Sequence, residues 1–231
     1  MTKPCKLARC FCMKSLKIAP SMLAAPAASL GDALCSVLAA GADLIHWDIM
    51  DGHFVPNLTF GPHVIKACRP LHAAEFDVHL MVTEPEKWIE PFVQAGADCL
   101  DIHVELGDRV LPVLQQIKSH DCRAGIVINP HTPPEYVTDA MLAMVNRVII
   151  MSVVPGFGGQ AFIDVTDKIA TIAQRCGNFT DIDIMVDGGI TLDTVRRVQQ
   201  AGATTVVVGN GLFSAAPDYS GRLSALKGYA A

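Results

Sequence analysis

The sequence contains no uninterrupted apolar run that approaches the about 18 residues a membrane-spanning helix needs. It also contains no basic cluster, because its 18 Lys and Arg are scattered among 23 Asp and Glu and the net charge is −5. Proteins that bind nucleic acid gather Lys and Arg on one face. The two absences predict a soluble protein whose partners are neither a membrane nor a nucleic acid. Backbone amides can still hold a phosphate without changing the net charge.

None of the eight cysteines belongs to a C-x-x-C pair, the spacing typical of zinc-binding and redox motifs. Several lie in apolar stretches, where a free cysteine behaves as a small hydrophobic residue. Disulfide frameworks are typical of small secreted domains, whereas this chain has 231 residues. We therefore expect reduced thiols and a cytoplasmic location.

Linkers and low-complexity segments are also absent, so we expect a single domain, and an apolar fraction of 51% supplies a sizeable core. Residues 1–16 differ from the rest because they are basic, lack Asp and Glu and do not fit the periodicity that follows. A transit peptide is an alternative, although the segment is short and carries little Ser or Arg. We interpret them as a poorly ordered N-terminal extension of a catalytic domain at 17–231, with Met13 as an alternative start.

From residue 17 onward, short β-rich runs alternate with helical patterns in eight strand–helix units. The predicted strands are Lys17–Pro20, Leu44–Asp48, Glu75–Leu80, Cys99–Val104, Arg123–Ile128, Arg147–Met151, Ile182–Val186 and Thr205–Val208. The predicted helices are Leu30–Ala40, Pro62–Cys68, Pro85–Ala95, Val110–Ser119, Pro133–Ala140, Val165–Cys176, Leu192–Ala201 and Tyr219–Lys227. Such alternation implies parallel strands, and eight units in about 250 residues predict an α/β fold, the (β/α)8 TIM barrel.

The tripeptide Ala-Gly-Ala ends three of these helices, at residues 40–42, 95–97 and 201–203. Glycine at such a place is expected to take the left-handed conformation that ends a helix. The recurrence supports a regular barrel and says nothing about chemistry.

The most informative segment places His46 and Asp48 two residues apart at the end of a predicted strand. Alternate side chains of a strand point to the same side, so the imidazole and the carboxylate converge. Burying such a charge without a partner is costly, so a structural role is a poor explanation. In a (β/α)8 barrel the active site lies where the strands end. The pair therefore predicts metal binding, proton transfer or both.

Two further strand ends supply matching groups, His79 and Asp187. Alone, each is typical of a core or turn residue. With His46 and Asp48 they make two imidazoles and two carboxylates, a set that suits Zn, Fe, Mn or Co better than Ca or Mg. We predict one such divalent metal ion per subunit.

Glycine-rich loops follow the last three predicted strands, at residues 156–159, 188–189 and 209–211. Glycine lets the backbone approach a ligand closely and exposes amides to an anion. The loops after strands seven and eight commonly hold phosphate in barrels of this kind. The pattern predicts a phosphate site.

Other strands also end in polar residues: Ser21, Asn129, Ser152, and His103 with Glu105. We expect His103 and Glu105 to orient metal ligands. Methionines stand at or just past three strand ends: Met50, Met81 and Met151. They either fill gaps in the packing or form a polarisable wall around a reacting anion.

Together these residues resemble the ribulose-phosphate 3-epimerase family from about Lys17 to the C-terminus. The matching segments are 18–25, 46–62, 77–82, 126–129, 151–162 and 186–190. The resemblance implies a (β/α)8 barrel that interconverts D-ribulose 5-phosphate and D-xylulose 5-phosphate in the pentose phosphate pathway. It also implies a homo-oligomer.

For individual residues, the resemblance implies that His46, Asp48, His79 and Asp187 bind the metal, with Asp48 and Asp187 also the acid/base pair. The implied contacts to the sugar phosphate are Ser21, His79, Gly156, Phe157, Gly158, Gly159, Gly188, Gly189, Gly209 and Asn210. Epimerisation at C3 removes a proton from one face and returns one to the other, through a cis-enediolate. Carboxylates from strands two and seven are placed to flank the substrate.

Three positions depart from the family pattern. Pro26 stands where an Asp is usual, Val154 replaces a common Asn, and Asn210 replaces a common Ser. Pro26 is expected to change a helix entry. The backbone N–H of Asn210 can still donate, so phosphate binding is expected to survive.

Three rival functions remain open at this level. A 3-epimerase of a six-carbon ketose phosphate such as D-allulose 6-phosphate would carry the same motifs. A phosphate-binding barrel decarboxylase would need an Asp-x-Lys-x-x-Asp array, but Met50 stands at the lysine position. A non-catalytic sugar-phosphate binding protein would have no use for all of His46, Asp48, His79 and Asp187.

Overall fold

The computed structural model describes residues 15–179, 181–214 and 218–229, so most of the predicted extension at 1–16 lies outside it. The strands are β1 Lys17–Pro20, β2 Ile45–Met50, β3 Phe76–Met81, β4 Cys99–His103, β5 Arg123–Ile128, β6 Arg147–Met151, β7 Asp183–Asp187 and β8 Thr205–Val208. The helices are α1 Leu30–Ala39, α2 Pro62–Cys68, α3 Ile89–Ala95, α4 Val110–Ser119, α5 Asp139–Leu142, α6 Thr166–Cys176, α7 Leu192–Gln200, α8 Asn210–Phe213 and α9 Tyr219–Tyr229. Within the described ranges, none of the helices has the length and apolar character needed to cross a membrane.

The strands form one parallel sheet in which each strand from β2 to β7 pairs with the next and β8 pairs with β1. A parallel bridge between Ser21 and His46 links β1 to β2 where the sheet comes round on itself. The predicted (β/α)8 TIM barrel in a single domain is confirmed.

The two faces of the strands carry different layers of the core. Outward residues such as Trp47 and Val78 pack against the surrounding helices in the larger apolar cluster. Inward residues such as Val127, Ile149 and Met185 fill the barrel in a smaller one. Because strand side chains alternate, residues two apart along one strand point to the same face, and one alternating set points into the barrel. The sequence pattern therefore decides which polar groups enter the barrel.

The three Ala-Gly-Ala repeats act as predicted. Gly41, Gly96 and Gly202 have φ angles of 103°, 100° and 117°, in the left-handed region that glycine enters without a steric penalty. Each stands directly before the chain turns into a strand. The prediction from the repeat is confirmed.

Two helical segments differ from expectation. The predicted helix Pro133–Ala140 is wrong: a 3-10 turn at Pro134–Tyr136 is followed by the single turn α5. Thr138 breaks the segment because it has extended backbone angles and its hydroxyl accepts a hydrogen bond from the Met141 N–H, as an N-cap residue does. The one-turn helix α8 after β8 was not expected, and it places Gly209 and Asn210 at its start.

Candidate active site

The end of β2 places two polar side chains inside the barrel. His46 is completely buried and Asp48 is 5% exposed. The Ser21 hydroxyl donates a hydrogen bond of 2.5 Å to Asp48 Oδ2, across the seam between β1 and β2. Asp48 is therefore fixed in orientation by the first strand as well as by its own.

Side chains from β2, β3 and β7 converge on one point. His46 Nε2 lies 3.5 Å from Asp48 Oδ1 and 3.7 Å from Asp187 Oδ2. His79 Nδ1 lies 3.6 Å from Asp48 Oδ1 and 4.0 Å from Asp187 Oδ2. Four donor atoms bound at about 2.1 Å to one tetrahedral ion would stand about 3.4 Å apart. The spacing is that of a slightly expanded metal site.

Hydrogen bonding supports the same interpretation. His46 Nε2 and His79 Nδ1 are buried and have no hydrogen-bond partner, although buried polar atoms are nearly always paired. Both unpaired nitrogens point at the two carboxylates. The four residues therefore fit a divalent cation, and their nitrogen and oxygen donors suit a transition metal or zinc.

The other nitrogen of His46 is held by a buried charged network that the sequence did not reveal. His46 Nδ1 lies 2.7 Å from Asp77 Oδ2, and Asp77 is in turn paired with the Arg147 guanidinium. Arg147 also donates to Asp183 at 3.1 Å and Glu75 at 2.9 Å. Asp77 and Arg147 are buried, and the contact with Asp77 fixes the imidazole plane of His46.

The other nitrogen of His79 faces a second histidine. His79 Nε2 lies 2.8 Å from His103 Nε2, and His103 Nδ1 lies 3.0 Å from Glu105 Oε2. Glu105 is anchored on its remaining oxygen by the Asn129 N–H at 2.9 Å and the Thr132 hydroxyl at 2.6 Å. The expected contact between β4 and the ligand set is thus present as a chain of hydrogen bonds.

The two carboxylates have opposite acidities. Burial, followed by repulsion from Asp48, raises the pKa of the Asp187 carboxyl to about 7. Burial also acts against ionisation of Asp48, but the neighbouring His46 and His79 outweigh it and hold the pKa of Asp48 well below its usual range. Near neutral pH and without a metal ion, the pair therefore holds one ionised carboxylate and one proton donor.

Replacing Asp187 by Asn is expected to flatten the pH dependence of stability in chelator-treated protein. The pKa of the Asp187 carboxyl is raised on folding, so its contribution to stability is present at low pH and is lost as pH rises through about 7. Wild-type protein should therefore lose about 2 kcal/mol more than Asp187→Asn between pH 5 and pH 8. Urea unfolding of the metal-free proteins measures the difference, and parallel curves would contradict the assignment.

A cavity of about 670 Å³ opens above the four residues and contains most of the predicted contacts. Its lining includes Ser21, Asp48, Asp187, Gly156, Phe157, Gly158, Gly159, Gly188, Gly189, Gly209 and Asn210. His46 and His79 do not line it, because both are completely buried beneath it. Met50, Met81 and Met151 also line it, and Met50 and Met81 pack with Val55 in a small apolar cluster.

Two lining glycines are required by the local geometry. A Cβ atom on Gly188 would lie 2.5 Å from a Val153 methyl group, and one on Gly189 would lie 2.7 Å from the Phe162 backbone. Both have positive φ angles, 114° and 60°. The Ser152 hydroxyl donates to the Gly188 carbonyl at 2.6 Å and tightens the turn. The loops after β6 and β7 are therefore packed directly on one another.

A contact across the cavity was not expected from the sequence. The Asn57 side-chain amide in the loop after β2 donates to the Gly156 carbonyl at 2.8 Å. Residues 99 apart in sequence are thereby joined, so no short-range pattern could have revealed the pair. The contact holds the loop after β6 against the loop after β2.

The three departures from the family pattern have different structural settings. Pro26 precedes a 3-10 turn at Ala27–Ser29, where its fixed φ angle fits the observed −61°. Val154 is 50% exposed and is not among the residues that line the cavity. Asn210 lines the cavity, and its carboxamide lies against Gly159. Of the three, only Asn210 can touch a ligand.

A sequence model of the ribulose-phosphate 3-epimerase family matches residues 17–213. Ribulose-phosphate 3-epimerase 1 of Cupriavidus necator is 42% identical over 92% of this chain and 90% of its own length. The ribulose-phosphate 3-epimerases of Synechocystis sp. and Escherichia coli K12 are 42% and 43% identical, over 93% and 90% of this chain and 94% and 92% of their own.

Solved structures show the breadth of the fold. Orotidine 5'-phosphate decarboxylase from Pyrococcus horikoshii superimposes with a TM-score of 0.69 at 16% identity, over 92% of this chain and 98% of its own. A 3-hexulose-6-phosphate synthase gives 0.65 at 19%, over 94% of this chain and all of its own. At such identities the likeness concerns the fold alone.

Proposed function

This chain belongs to the ribulose-phosphate 3-epimerase family, and from that premise we propose that Asp48 and Asp187 are its two proton carriers. The enzyme is an isomerase of the pentose phosphate pathway that interconverts D-ribulose 5-phosphate and D-xylulose 5-phosphate. Epimerisation inverts C3, the carbon next to the C2 carbonyl, so a proton leaves one face and another arrives on the opposite face. The chemistry needs one base and one acid at the same time.

The observation that carries the proposal is the pair of buried carboxylates at one cavity. Asp48 comes from β2 and Asp187 from β7, and both line the cavity from different sides. With the two carboxylates on separate strands, one can take the C3 proton while the other delivers one. In the reverse reaction the two exchange roles, as microscopic reversibility requires.

His46, Asp48, His79 and Asp187 would hold the divalent ion, which we propose to be Zn, Fe, Mn or Co. When bound, the ion would supply an electrophile that makes the C3 hydrogen more acidic. The protein side chains transfer the protons and orient the groups that do so. Ser21 keeps one oxygen of Asp48 occupied at 2.5 Å and so sets the direction of the other.

We propose that the phosphate is held by the amides of the loops after β6, β7 and β8, with Gly156–Gly159, Gly188, Gly189 and Gly209 in contact. Phe157, 55% exposed at the rim, would cover the bound sugar. Asn210 would donate through its backbone N–H at the start of α8. The alternative substrate, a six-carbon ketose phosphate, is not favoured, because the relatives are named for the pentose.

Replacing Gly189 by Ala should raise KM for ribulose 5-phosphate by roughly tenfold while kcat falls less, because the loop moves off the phosphate before it disturbs the carboxylates. The new methyl group would press on the Phe162 backbone at 2.7 Å and would sit at a φ angle of 60°. Steady-state kinetics measure the split.

Gly107→Ala is the matched control. Gly107 has a φ angle of 65°, close to that of Gly189, but nothing lies within 4 Å of its added Cβ and it does not line the cavity. It likewise places a Cβ at a positive φ angle, but without the contact. An equal effect on KM in both variants would show that the loop position is irrelevant to phosphate binding.

Three wider properties also belong to the proposal. We propose that the enzyme is cytoplasmic and forms a homo-oligomer, supported by the family to which it belongs. Light scattering on the purified chain tests the oligomeric state.

We propose that 17–231 is the catalytic domain, since β1 begins at Lys17. A chain that starts at Met13 should then keep the wild-type kcat, and a lower kcat would give the extension a role.

A further inference from the structure

We propose that His103 and Glu105 form a directional hydrogen-bond relay that fixes the tautomer of His79, so that the lone pair of His79 Nδ1 faces the metal. The inference rests on the metal-binding role proposed above. It makes both residues positioning residues, since neither lines the cavity.

The relay begins with a contact between two imidazole nitrogens. His79 Nε2 and His103 Nε2 are 2.8 Å apart, and the rings lie nearly parallel with an interplanar angle of 27°. A separation of 2.8 Å between two ring nitrogens is that of a hydrogen bond, in which one nitrogen carries the hydrogen and the other accepts it with a lone pair.

Glu105 decides which ring donates. Burial tends to raise its pKa, but hydrogen bonds from His103, Thr132 and Asn129 outweigh this and lower it, so the side chain is an ionised acceptor. It therefore accepts from His103 Nδ1–H, which leaves His103 Nε2 as an acceptor. His79 must then carry its hydrogen on Nε2, and its Nδ1 keeps the lone pair.

The two imidazoles of the relay are shielded from solvent. His79 and His103 are both completely buried, and the Phe54 ring from the loop after β2 packs on His103 at 4.7 Å between ring centroids. Lys168 holds the loop after β5 from outside by donating to the Asn129 and Pro130 carbonyls at 2.7 and 2.6 Å. Glu105 is therefore held in a fixed position. Because His79 Nε2 is engaged in the relay, His79 Nδ1 is the ring nitrogen that has no hydrogen-bond partner.

The substitution Glu105→Gln should reverse the relay without changing its shape. One oxygen must still accept from the Asn129 N–H and the Thr132 hydroxyl, so the new amide group faces His103 Nδ1 and donates to it. His103 Nε2 then carries the hydrogen, and His79 is forced to place its own on Nδ1, where the metal should bind. We expect the Zn²⁺ dissociation constant, measured by chelator competition, to rise roughly 10- to 100-fold.

The substitution His103→Gln gives the opposite test. Its carbonyl oxygen can accept from His79 Nε2–H while its amide group donates to Glu105, so the direction of the relay is kept. We expect the Zn²⁺ dissociation constant to stay within a few-fold of wild type. If the two residues served packing alone, the ranking would be reversed, because Gln at 103 loses the ring under Phe54 and Gln at 105 keeps its shape. Glu90→Gln, on the exposed surface of α3, is the neutral control.

The tautomers can also be observed directly. Long-range ¹H–¹⁵N spectra of the metal-free wild-type protein should show the hydrogen of His79 on Nε2 and that of His103 on Nδ1, and Glu105→Gln should invert both. Wild-type protein with hydrogen on His79 Nδ1 would overturn the relay, as would unchanged Zn²⁺ binding by folded Glu105→Gln. Failure of the wild-type protein to bind Zn²⁺ or Co²⁺ would instead refute the proposed metal site, and the tautomers would still decide the relay.

Discussion

Asp48→Asn and Asp187→Asn should each lower kcat by about 10²- to 10⁴-fold, the range expected when a positioned acid or base is lost. Asn cannot take or deliver the C3 proton, and epimerisation needs both steps in every turnover. The effect should appear in either direction of the reaction, because each carboxylate acts as the base in one direction and as the acid in the other. Conversion of ribulose 5-phosphate followed by NMR measures it.

Metal content and folding must be measured beside the rate, because both carboxylates also face the metal. The Asn carbonyl oxygen can remain a ligand, so a variant that keeps the metal and has no turnover identifies the proton-transfer role. Asp164→Asn is the control: Asp164 makes an exposed ion pair with Arg197 and lies outside the cavity lining. Near-normal turnover in either active-site variant would refute the assignment of the acid/base pair.

Arg147→Leu should lower the free energy of unfolding by about 3–5 kcal/mol, as is typical when one partner of a buried ion pair is removed. Arg147 is 3% exposed and pairs with Asp77, Asp183 and Glu75 inside the barrel. Without it, the buried Asp77 carboxylate would keep His46 as a close partner but would lose the guanidinium opposite it. Urea unfolding at pH 7 measures the loss.

Arg109→Leu is the matched comparison. Arg109 makes a bidentate pair with Glu86, but both side chains are about 40% exposed. A pair in that setting contributes at most about 1 kcal/mol. Equal losses in the two variants would mean that the network beneath the site contributes no more than a surface pair.

Much of the fold could be predicted because its signals are local. Four of the eight strands, β1, β5, β6 and β8, have the predicted bounds, and the glycines at 41, 96 and 202 end their helices as expected. The helix at Pro133–Ala140 failed because the cap formed by Thr138 outweighed an apolar pattern. A single hydroxyl that hydrogen bonds to the backbone hardly changes the apolar periodicity of a sequence.

The candidate site also has one part that the sequence pattern predicts and one part that it does not. His46 and Asp48 share a strand, so alternation alone placed them together, and the barrel topology brought His79 and Asp187 to them. The pairing of Asp77 with Arg147 could not be foreseen, because it joins residues 70 apart across the barrel interior. The same holds for Asn57 and Gly156. Such contacts depend on how the strands are ordered around the barrel, and no local pattern records that order.

The most direct test of the two-carboxylate account follows the hydrogen at C3 of ribulose 5-phosphate in D₂O. In the first turnovers, the xylulose 5-phosphate formed should carry one deuterium at C3, while the remaining substrate stays largely unlabelled. Chelator should stop exchange and epimerisation together, and added Zn²⁺ or Co²⁺ should restore both. Product that retains its original hydrogen at C3 throughout would contradict proton transfer by Asp48 and Asp187.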